Sequence, residues 1–238
     1  METKPFCAGE LADAKVMVIG HDPRLQRSNT QAQYAFFGDY YFRPIPRQRS
    51  ELAKYRLAEK VFSCAAHMTS HRYTAEQLVL TNLCNKMLPR PPAKRTVLIP
   101  QEEAQEGIAA IRDILAHSQV ELIFAMSEQV NYWLQRLGFY APVPEFLRRA
   151  EPAPRGLLHE PPYYTPKQGS AFQLICGRRY TVGDAHLVPI LHVKNWPLRG
   201  RFKRAYAQAY ERLINGLKPQ PSQAIRDAAH HNPGVRVT

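Results

Sequence analysis

Four short apolar runs recur along the chain, at residues 15–19, 78–82, 120–126 and 187–192. Nearly unbroken apolar runs of this length are typical of parallel strands that are covered on both faces. The first run ends at Gly20 and a proline-containing turn, where a strand has to stop. The pattern therefore predicts four buried strands.

Helical periodicity fills much of the sequence between these runs. Apolar residues recur on one side of segments that begin at Ser50 and that span 102–117, 128–137 and 200–217. Ser127 is a candidate N-cap of the third helix, and Gly138 is a candidate C-cap. Strands that alternate with helices predict an α/β protein, a three-layer α/β/α sandwich with a central, mainly parallel four-stranded sheet.

The remaining segments lack this regularity. A loop over 25–49 is rich in aromatic residues and arginines, and a second, proline-rich loop covers 86–100. Segments 172–175 and 179–182 resemble the two strands of a hairpin within an irregular insertion at about 141–186. We predict one domain over 1–217 and a disordered tail over 218–238, because the tail has no apolar periodicity.

The composition is that of a globular protein with a strong positive charge. Of 238 residues, 45% are hydrophobic and 22% charged, and the formal net charge is +12. A basic surface favours polyanions, nucleic acid above all, although a cell can also simply tolerate basic proteins. No apolar run approaches the ~20 residues that span a bilayer, and the N-terminus has no signal-like apolar segment. We expect a cytoplasmic protein without membrane contact.

Neither the cysteines nor the histidines form a metal motif. Cys7, Cys64, Cys84 and Cys176 are scattered, so buried free thiols are expected. His67 and His71 have the i, i+4 spacing of a zinc pair. Since no acidic partner motif accompanies them, structural histidines are the better interpretation.

Ligands of parallel α/β sheets bind outside the carboxyl ends of the strands. Asp22 follows the first strand, Asn82 ends the second and His192 ends the fourth, while Phe36 and Phe37 lie in the aromatic loop. A carboxylate, an amide, an imidazole and a stacking ring are what recognition of an extruded nucleobase requires. The plain alternatives are a turn residue for Asp22 or Asn82, and core residues for the others.

In this order, the segments resemble the motifs of the uracil-DNA glycosylase superfamily. Residues 16–24 resemble its strand running into G-Q-D-P-Y, 80–82 its L-x-N segment, and 36–38 the site of its stacking phenylalanine. Residues 123–126 resemble the strand before its central helix, 189–192 the strand ending in H-P-S, and 199–200 the R-G of its last helix. The resemblance covers roughly residues 15–217, in order.

Several positions depart from the family pattern. His21 replaces the usual Gln, and Arg24 replaces a Tyr that excludes thymine in one branch. Val-Lys-Asn follows His192 in place of Pro-Ser-Pro, and Leu198 lies two residues further from the histidine than the family's wedge leucine. The cysteine spacing does not match the branch that carries an iron–sulfur cluster, so no cluster is expected.

The resemblance implies a DNA glycosylase that removes uracil or a related deaminated base, without metal, nucleotide or other cofactor. Asp22 and His192 would be catalytic, Asp22 by orienting a water molecule and His192 by donating a hydrogen bond to the base. His21, Phe36, Phe37 and Asn82 would hold the base. The DNA-binding residues, which contact phosphates or fill the gap in the stack, would be Arg24, Lys194, Trp196, Leu198, Arg199, Arg201, Lys203 and Arg204.

Two other functions stay open from the sequence. A non-catalytic nucleic-acid-binding member of the same fold is favoured by the changed residues around Asp22 and after His192. A small-molecule enzyme on a similar sheet is disfavoured, because no G-x-G-x-x-G and no intact P-loop follows the first strand. DNA, single- or double-stranded, is the expected partner of a monomer.

Overall fold

The computed structural model describes residues 2–21, 33–86, 88, 96–151, 163–164 and 171–217. The strands of its main sheet are β1 (Phe6–Cys7), β2 (Val16–Gly20), β3 (Leu78–Asn82), β5 (Leu122–Met126), β7 (Tyr180–Val182) and β8 (Ala185–Ile190). These six strands lie in the order β1-β3-β2-β5-β8-β7. The four inner strands are mutually parallel, and β1 and β7 are antiparallel edges. A separate two-stranded sheet pairs β4 (Thr96–Val97) with β6 (Tyr163–Tyr164).

The buried strands explain the apolar runs in the sequence. Every residue of β2, β3 and β5 is buried. Val18 lies opposite Leu80 on one side and Phe124 on the other, so β2 is central and has no free edge. The prediction of a mixed α/β protein with a mainly parallel sheet is confirmed, but the predicted number of four strands is wrong, because the sheet has six. The two added edges have only two and three residues, too few to show a periodicity.

Five α-helices and several 3-10 helices connect the strands within the described part of the chain. The α-helices expected from periodicity are present, and Pro144–Ala150 is a further short helix inside the predicted irregular insertion, with Phe146 fully buried. A proline at its first position fits a helix N-terminus, where no amide donor is required. The helices are α1 (Arg49–Met68), α2 (Gln101–Ala116), α3 (Glu128–Arg136), α4 (Pro144–Ala150) and α5 (Gly200–Leu217).

Of the two strands predicted for the hairpin, the first is wrong and the second is present. Ala171–Leu174 is a 3-10 helix rather than a strand, and its apolar residues Ala171 and Phe172 are buried. The actual hairpin joins β7 to β8, which pair antiparallel from Tyr180 opposite Leu187. Its turn contains Gly183 at φ 56°, a conformation that glycine adopts without strain.

The start of α3 also differs from expectation. Ser127 is the N-cap residue of the helix, as predicted, but its side chain makes no capping hydrogen bond. Its φ of 82° turns the backbone so that its N–H donates to the carbonyl of Ile190, at 3.0 Å, at the end of β8. The turn is thereby tied to the neighbouring strand. Gly138, with φ 68°, follows α3 as the sequence predicts.

The parallel strands β2, β3, β5 and β8 end at one edge of the sheet, which we call the carboxyl edge. Gly20 and Asn82 lie opposite each other there, and Met126 lies opposite Ile190. The predicted ligand turns therefore start from neighbouring strands. No helix in the described ranges has the length and apolar character needed to cross a bilayer. The predicted tail, 218–238, lies outside the described residues.

Candidate functional site

The ends of β2 and β3 stay joined beyond the sheet. The amide of Leu83 donates to the carbonyl of Gly20 at 2.9 Å, and the amide of Cys84 donates to the carbonyl of His21 at 3.0 Å. His21 and Asn82 are buried, with 7% and 3% of their surface exposed. Two polar side chains are therefore enclosed at the point where the strands end, which is unusual without a specific role or partner.

Gly20 lets an aromatic ring and an amide approach the backbone closely. A Cβ atom on this residue would lie 2.4 Å from Cζ of Phe36 and 2.6 Å from Oδ1 of Asn82. Real Cβ atoms do not come so near to other heavy atoms, so only glycine is compatible with this arrangement. The side chains of Phe36 and Asn82 therefore both lie against Gly20, at the end of β2.

Phe36 and Phe37 belong to the 3-10 segment Ala35–Phe42, and both have a left-handed backbone, with φ 55°. Two successive non-glycine residues in this region are strained by roughly 1–2 kcal/mol each. The strain turns the two rings in different directions. Phe36 faces Gly20 and comes within 6.5 Å of the His192 ring, whereas Phe37 packs against Tyr40, with ring centroids 5.9 Å apart.

A buried lysine holds this strained segment from the side of α1. The Lys54 side chain is 1% exposed, and Nζ lies 2.7 Å from a Glu51 carboxylate oxygen and 3.2 Å from the Tyr40 hydroxyl. It also lies 5.8 Å from the centre of the Phe37 ring. Tyr40 donates a 2.5 Å hydrogen bond to Glu51, which completes the cluster. The sequence pattern missed Lys54, because a lysine on a helix is normally a solvated residue.

The ionisation of this cluster follows from its contacts. Hydrogen bonds from Lys54 and Tyr40 lower the pKa of the Glu51 carboxyl. Burial lowers the pKa of Lys54, but its bonds to Glu51 and Tyr40 outweigh burial and raise the pKa overall. Both groups are therefore charged at neutral pH, and the pair is an ion pair packed beneath the aromatic segment.

His192 has a defined tautomer when it is neutral. Its Nδ1 accepts a hydrogen bond from the backbone amide of Lys194 at 3.1 Å, across the 3-10 helix Val193–Asn195. A nitrogen that accepts carries no proton, so the proton of the neutral ring is on Nε2. A neutral His192 ring therefore has its donor hydrogen on Nε2.

In the loop after His192, one residue that was expected to contact DNA packs against the protein instead. The Trp196 ring lies between His67, at 4.9 Å, and Tyr210, at 6.1 Å, so it packs on the protein rather than projecting from it. Pro197 is exposed and Leu198 is half-buried. His67, considered for zinc, is exposed and contacts the Trp196 ring. The described residues contain no group of three or more metal-ligating side chains.

Exposed positive residues follow His192 in the chain, and we call them the basic band. Lys194 and Arg199 flank the loop, and Lys203 and Arg204 lie on the first turns of α5; all four are exposed. Arg201 lies in the first turn of α5. The helix starts at Gly200, with φ 51°, and its N-terminus adds a partial positive charge next to these side chains.

The structure therefore brings together Gly20, Phe36, Asn82 and His192, with His21 adjacent in the chain. Phe37 faces α1 instead, and Trp196 lies against α1 and α5 through its ring contacts. Asp22 and Arg24 lie outside the described residues, two and four positions after Gly20 in the sequence. One further contact was missed by sequence reasoning: Nδ2 of Asn82 donates to the buried hydroxyl of Thr3 at 3.4 Å.

Comparison with protein-family models gave no match, and comparison with curated proteins gave no significant match.

Proposed function

We propose that this protein is a DNA glycosylase-like hydrolase that cleaves the N-glycosidic bond of uracil or a related deaminated base. The observation that carries the proposal is the meeting of Phe36 and Asn82 above Gly20, with the His192 ring 6.5 Å from that of Phe36. An aromatic face, an amide and an imidazole at one strand edge fit a flipped base better than a phosphate or a sugar. We also expect the helices to cover both faces of the sheet, as in a three-layer sandwich.

In this proposal the base is held by two contacts of different kinds. Phe36 stacks on the ring of the flipped nucleotide, and the Asn82 amide bonds its edge with one acceptor and one donor. Flipping costs roughly a few kcal/mol, which base stacking and hydrogen bonding have to offset. The buried setting of Asn82 strengthens these bonds, because water competes little there.

Cleavage then needs charge stabilisation on both sides of the bond. As the C1′–N bond breaks, its electron pair leaves with the base and the sugar becomes oxocarbenium-like. Nε2–H of neutral His192 donates to the base oxygen where negative charge develops. Asp22 orients a water molecule whose oxygen bonds to C1′ and whose proton leaves to the carboxylate. The released base anion is then protonated, and an abasic site remains.

The basic band supports binding of the DNA backbone. Lys194, Arg199, Lys203 and Arg204 are exposed and follow His192 in the chain, and we assign to them contacts with the phosphates that flank a flipped nucleotide. Each such contact releases counterions, which makes affinity fall with salt. Of the loop residues, Pro197 and Leu198 remain the candidates for filling the gap in the base stack, since the Trp196 ring is engaged.

The test is base release from defined oligonucleotides. Single- and double-stranded DNA that carries one uracil, hypoxanthine or xanthine is incubated with the protein and then cleaved at abasic sites by alkali. Wild type should release at least one of these bases, whereas Asp22→Asn and Asn82→Ala should lose more than about a hundredfold in rate. Release by Asp22→Asn at the wild-type rate would refute the catalytic assignment. Salt-sensitive binding without any release would favour a non-catalytic nucleic-acid-binding protein on the same fold.

A further inference from the structure

The N-terminal segment closes the site along one side. Glu2 forms a β-bridge with Lys86, and the amide of Thr3 donates to the carbonyl of Asn85 at 2.9 Å. The next residue, Lys4, exchanges backbone hydrogen bonds with Gln33 and Ala35 at 2.9 Å, directly before Phe36. Residues 2–4 therefore connect the chain that follows Asn82 to the chain that precedes Phe36. This connection holds Thr3 in a fixed position, with 3% of its surface exposed.

The Thr3 hydroxyl has one proton to donate and three polar neighbours. The carbonyl oxygen and the side-chain oxygen of Asn85 each lie 3.4 Å from Oγ1, and Asn82 Nδ2 lies at the same distance. The two Asn85 oxygens only accept, so the Thr3 proton goes to Asn85. Its lone pairs are then left to accept from Asn82, and this requires the NH₂ end of the Asn82 amide to face Thr3.

The opposite end of the amide consequently faces the site. Oδ1 of Asn82 lies 2.6 Å from the position of a Cβ on Gly20, beside the Phe36 ring. If Thr3 could not accept a hydrogen bond, the amide could rotate by half a turn and present NH₂ to the site at little cost. A hydroxyl outside the strand-end motifs thus determines whether the site offers an acceptor or a donor at this point.

We propose that Thr3 is a positioning residue that fixes Asn82 Oδ1 as the acceptor for a ring N–H of the base. The inference rests on the proposed function and restricts its substrates to bases that have a protonated ring nitrogen next to a carbonyl. Uracil, hypoxanthine and xanthine each have a ring N–H next to a carbonyl, and both groups match the oxygen and the second hydrogen of the amide. Cytosine and adenine place an unprotonated ring nitrogen there, so two acceptors would oppose each other in a buried site.

The matched variants are Thr3→Val, which keeps the shape and removes the hydroxyl, and Thr3→Ser, which keeps the hydroxyl. Single-turnover base release from the best deaminated substrate is measured together with release from the matching cytosine or adenine oligonucleotide. We expect Thr3→Val to lower kcat/KM by about 10- to 100-fold, and to narrow the discrimination against the undamaged base by a similar factor. Thr3→Ser should stay within about threefold of wild type.

A second readout does not depend on catalysis. The Asn82 side-chain NH₂ resonances, assigned by their loss in Asn82→Asp, report the hydrogen bond in the free protein. Thr3→Val should shift them and speed their exchange with water, and Thr3→Ser should not.

If wild type releases no base, the proposed function fails, and these resonances still test Thr3. Unchanged resonances in Thr3→Val would overturn the inference, as would equal losses of kcat/KM in Thr3→Val and Thr3→Ser. Should Thr3→Val not fold, Thr3→Ala replaces it under the same criteria.

Discussion

The two halves of the carboxyl edge are built in opposite ways. Where β2 and β3 end, the polar side chains are enclosed: Asn82 and Thr3 are each 3% exposed, and Phe36 is 8% exposed. Where β8 ends and α5 begins, the residues are open to solvent, and Lys194 and Arg199 are both exposed. In the described part of the chain, the side chains of the first half are buried and uncharged, whereas those of the second half are exposed and positively charged.

This difference separates two tasks that a nucleic-acid enzyme has to perform. In the enclosed half, little water competes for hydrogen bonds, so this half suits recognition of a base. In the open half, charges act through water over about 8–10 Å and are screened by salt, so this half suits docking of the backbone. In the proposed function, changes in the enclosed half should alter the rate of base release, and changes in the open half should alter the affinity for DNA.

The largest effect is expected from filling the enclosed half. In Gly20→Ala the new methyl group would collide with both Phe36 and Asn82, so the two groups that we propose to hold the base have to move apart. Overpacking of this kind typically costs about 1–3 kcal/mol of stability. We expect base release to fall more than about a hundredfold, because a displacement near 1 Å is enough for such a loss. Urea unfolding and single-turnover cleavage measure the two effects separately.

Gly216→Ala is the matched control for that substitution. Gly216 lies in α5, and nothing is within 4 Å of where its Cβ would be. Alanine is favoured over glycine within a helix by roughly 0.5–1 kcal/mol, so this variant should be slightly more stable and fully active. Wild-type activity in Gly20→Ala would show that the enclosed half is not where the base binds.

The same contrast explains what could be read from the sequence. The four inner strands were predictable because burial on both faces leaves a continuous apolar run, and strand ends are where parallel sheets bind ligands. Asn82 and His192 could be found by that rule alone. The burial of Lys54 and the contact of Thr3 with Asn82 could not, because both depend on segments that meet only in the folded chain. The left-handed backbone of Phe36 has no sequence signal either, since phenylalanine rarely adopts it.

A smaller effect is expected from neutralising the open half. Lys194→Gln combined with Lys203→Gln and Arg204→Gln removes three exposed positive charges. The slope of log affinity against log salt should become shallower by about 0.7–0.9 for each phosphate contact that is lost. The rate of base release at saturating protein should change little, because none of these groups touches the base in the proposed site. Binding is measured by fluorescence anisotropy on a labelled oligonucleotide between about 50 and 200 mM salt, a range over which phosphate contacts change affinity strongly.

Arg112 supplies the control for charge alone. It is exposed on α2, outside the band beside His192, so Arg112→Gln changes the net charge without removing a proposed contact. It should leave the salt slope within error of wild type. Equal slopes for the triple variant and Arg112→Gln would mean that the band beside His192 is an ordinary solvated surface.

The smallest effect concerns the ion pair that supports the enclosed half from α1. Lys54 and Tyr40 lower the pKa of Glu51 below its usual value of 4.5, so the folded protein favours the charged carboxylate. This contribution to stability is present above the unfolded pKa, and it is lost as pH falls through the lower pKa of the folded state. Because the Glu51 side chain is 27% exposed, the loss should be about 1 kcal/mol.

Urea unfolding between pH 7 and pH 3 isolates this contribution when wild type is compared with Glu51→Gln. The free energy of unfolding of wild type should fall faster with acid than that of the variant, because Gln cannot be protonated. Glu59→Gln, an exposed position on the same helix, should keep the wild-type slope.

Protonating Glu51 also leaves the buried Lys54 charge without its partner, next to the segment that holds Phe36 and Phe37. Base release should therefore weaken over the same acid range in wild type. A wild-type slope in Glu51→Gln would mean that the pair does not hold the strained aromatic segment, which would then depend on packing alone.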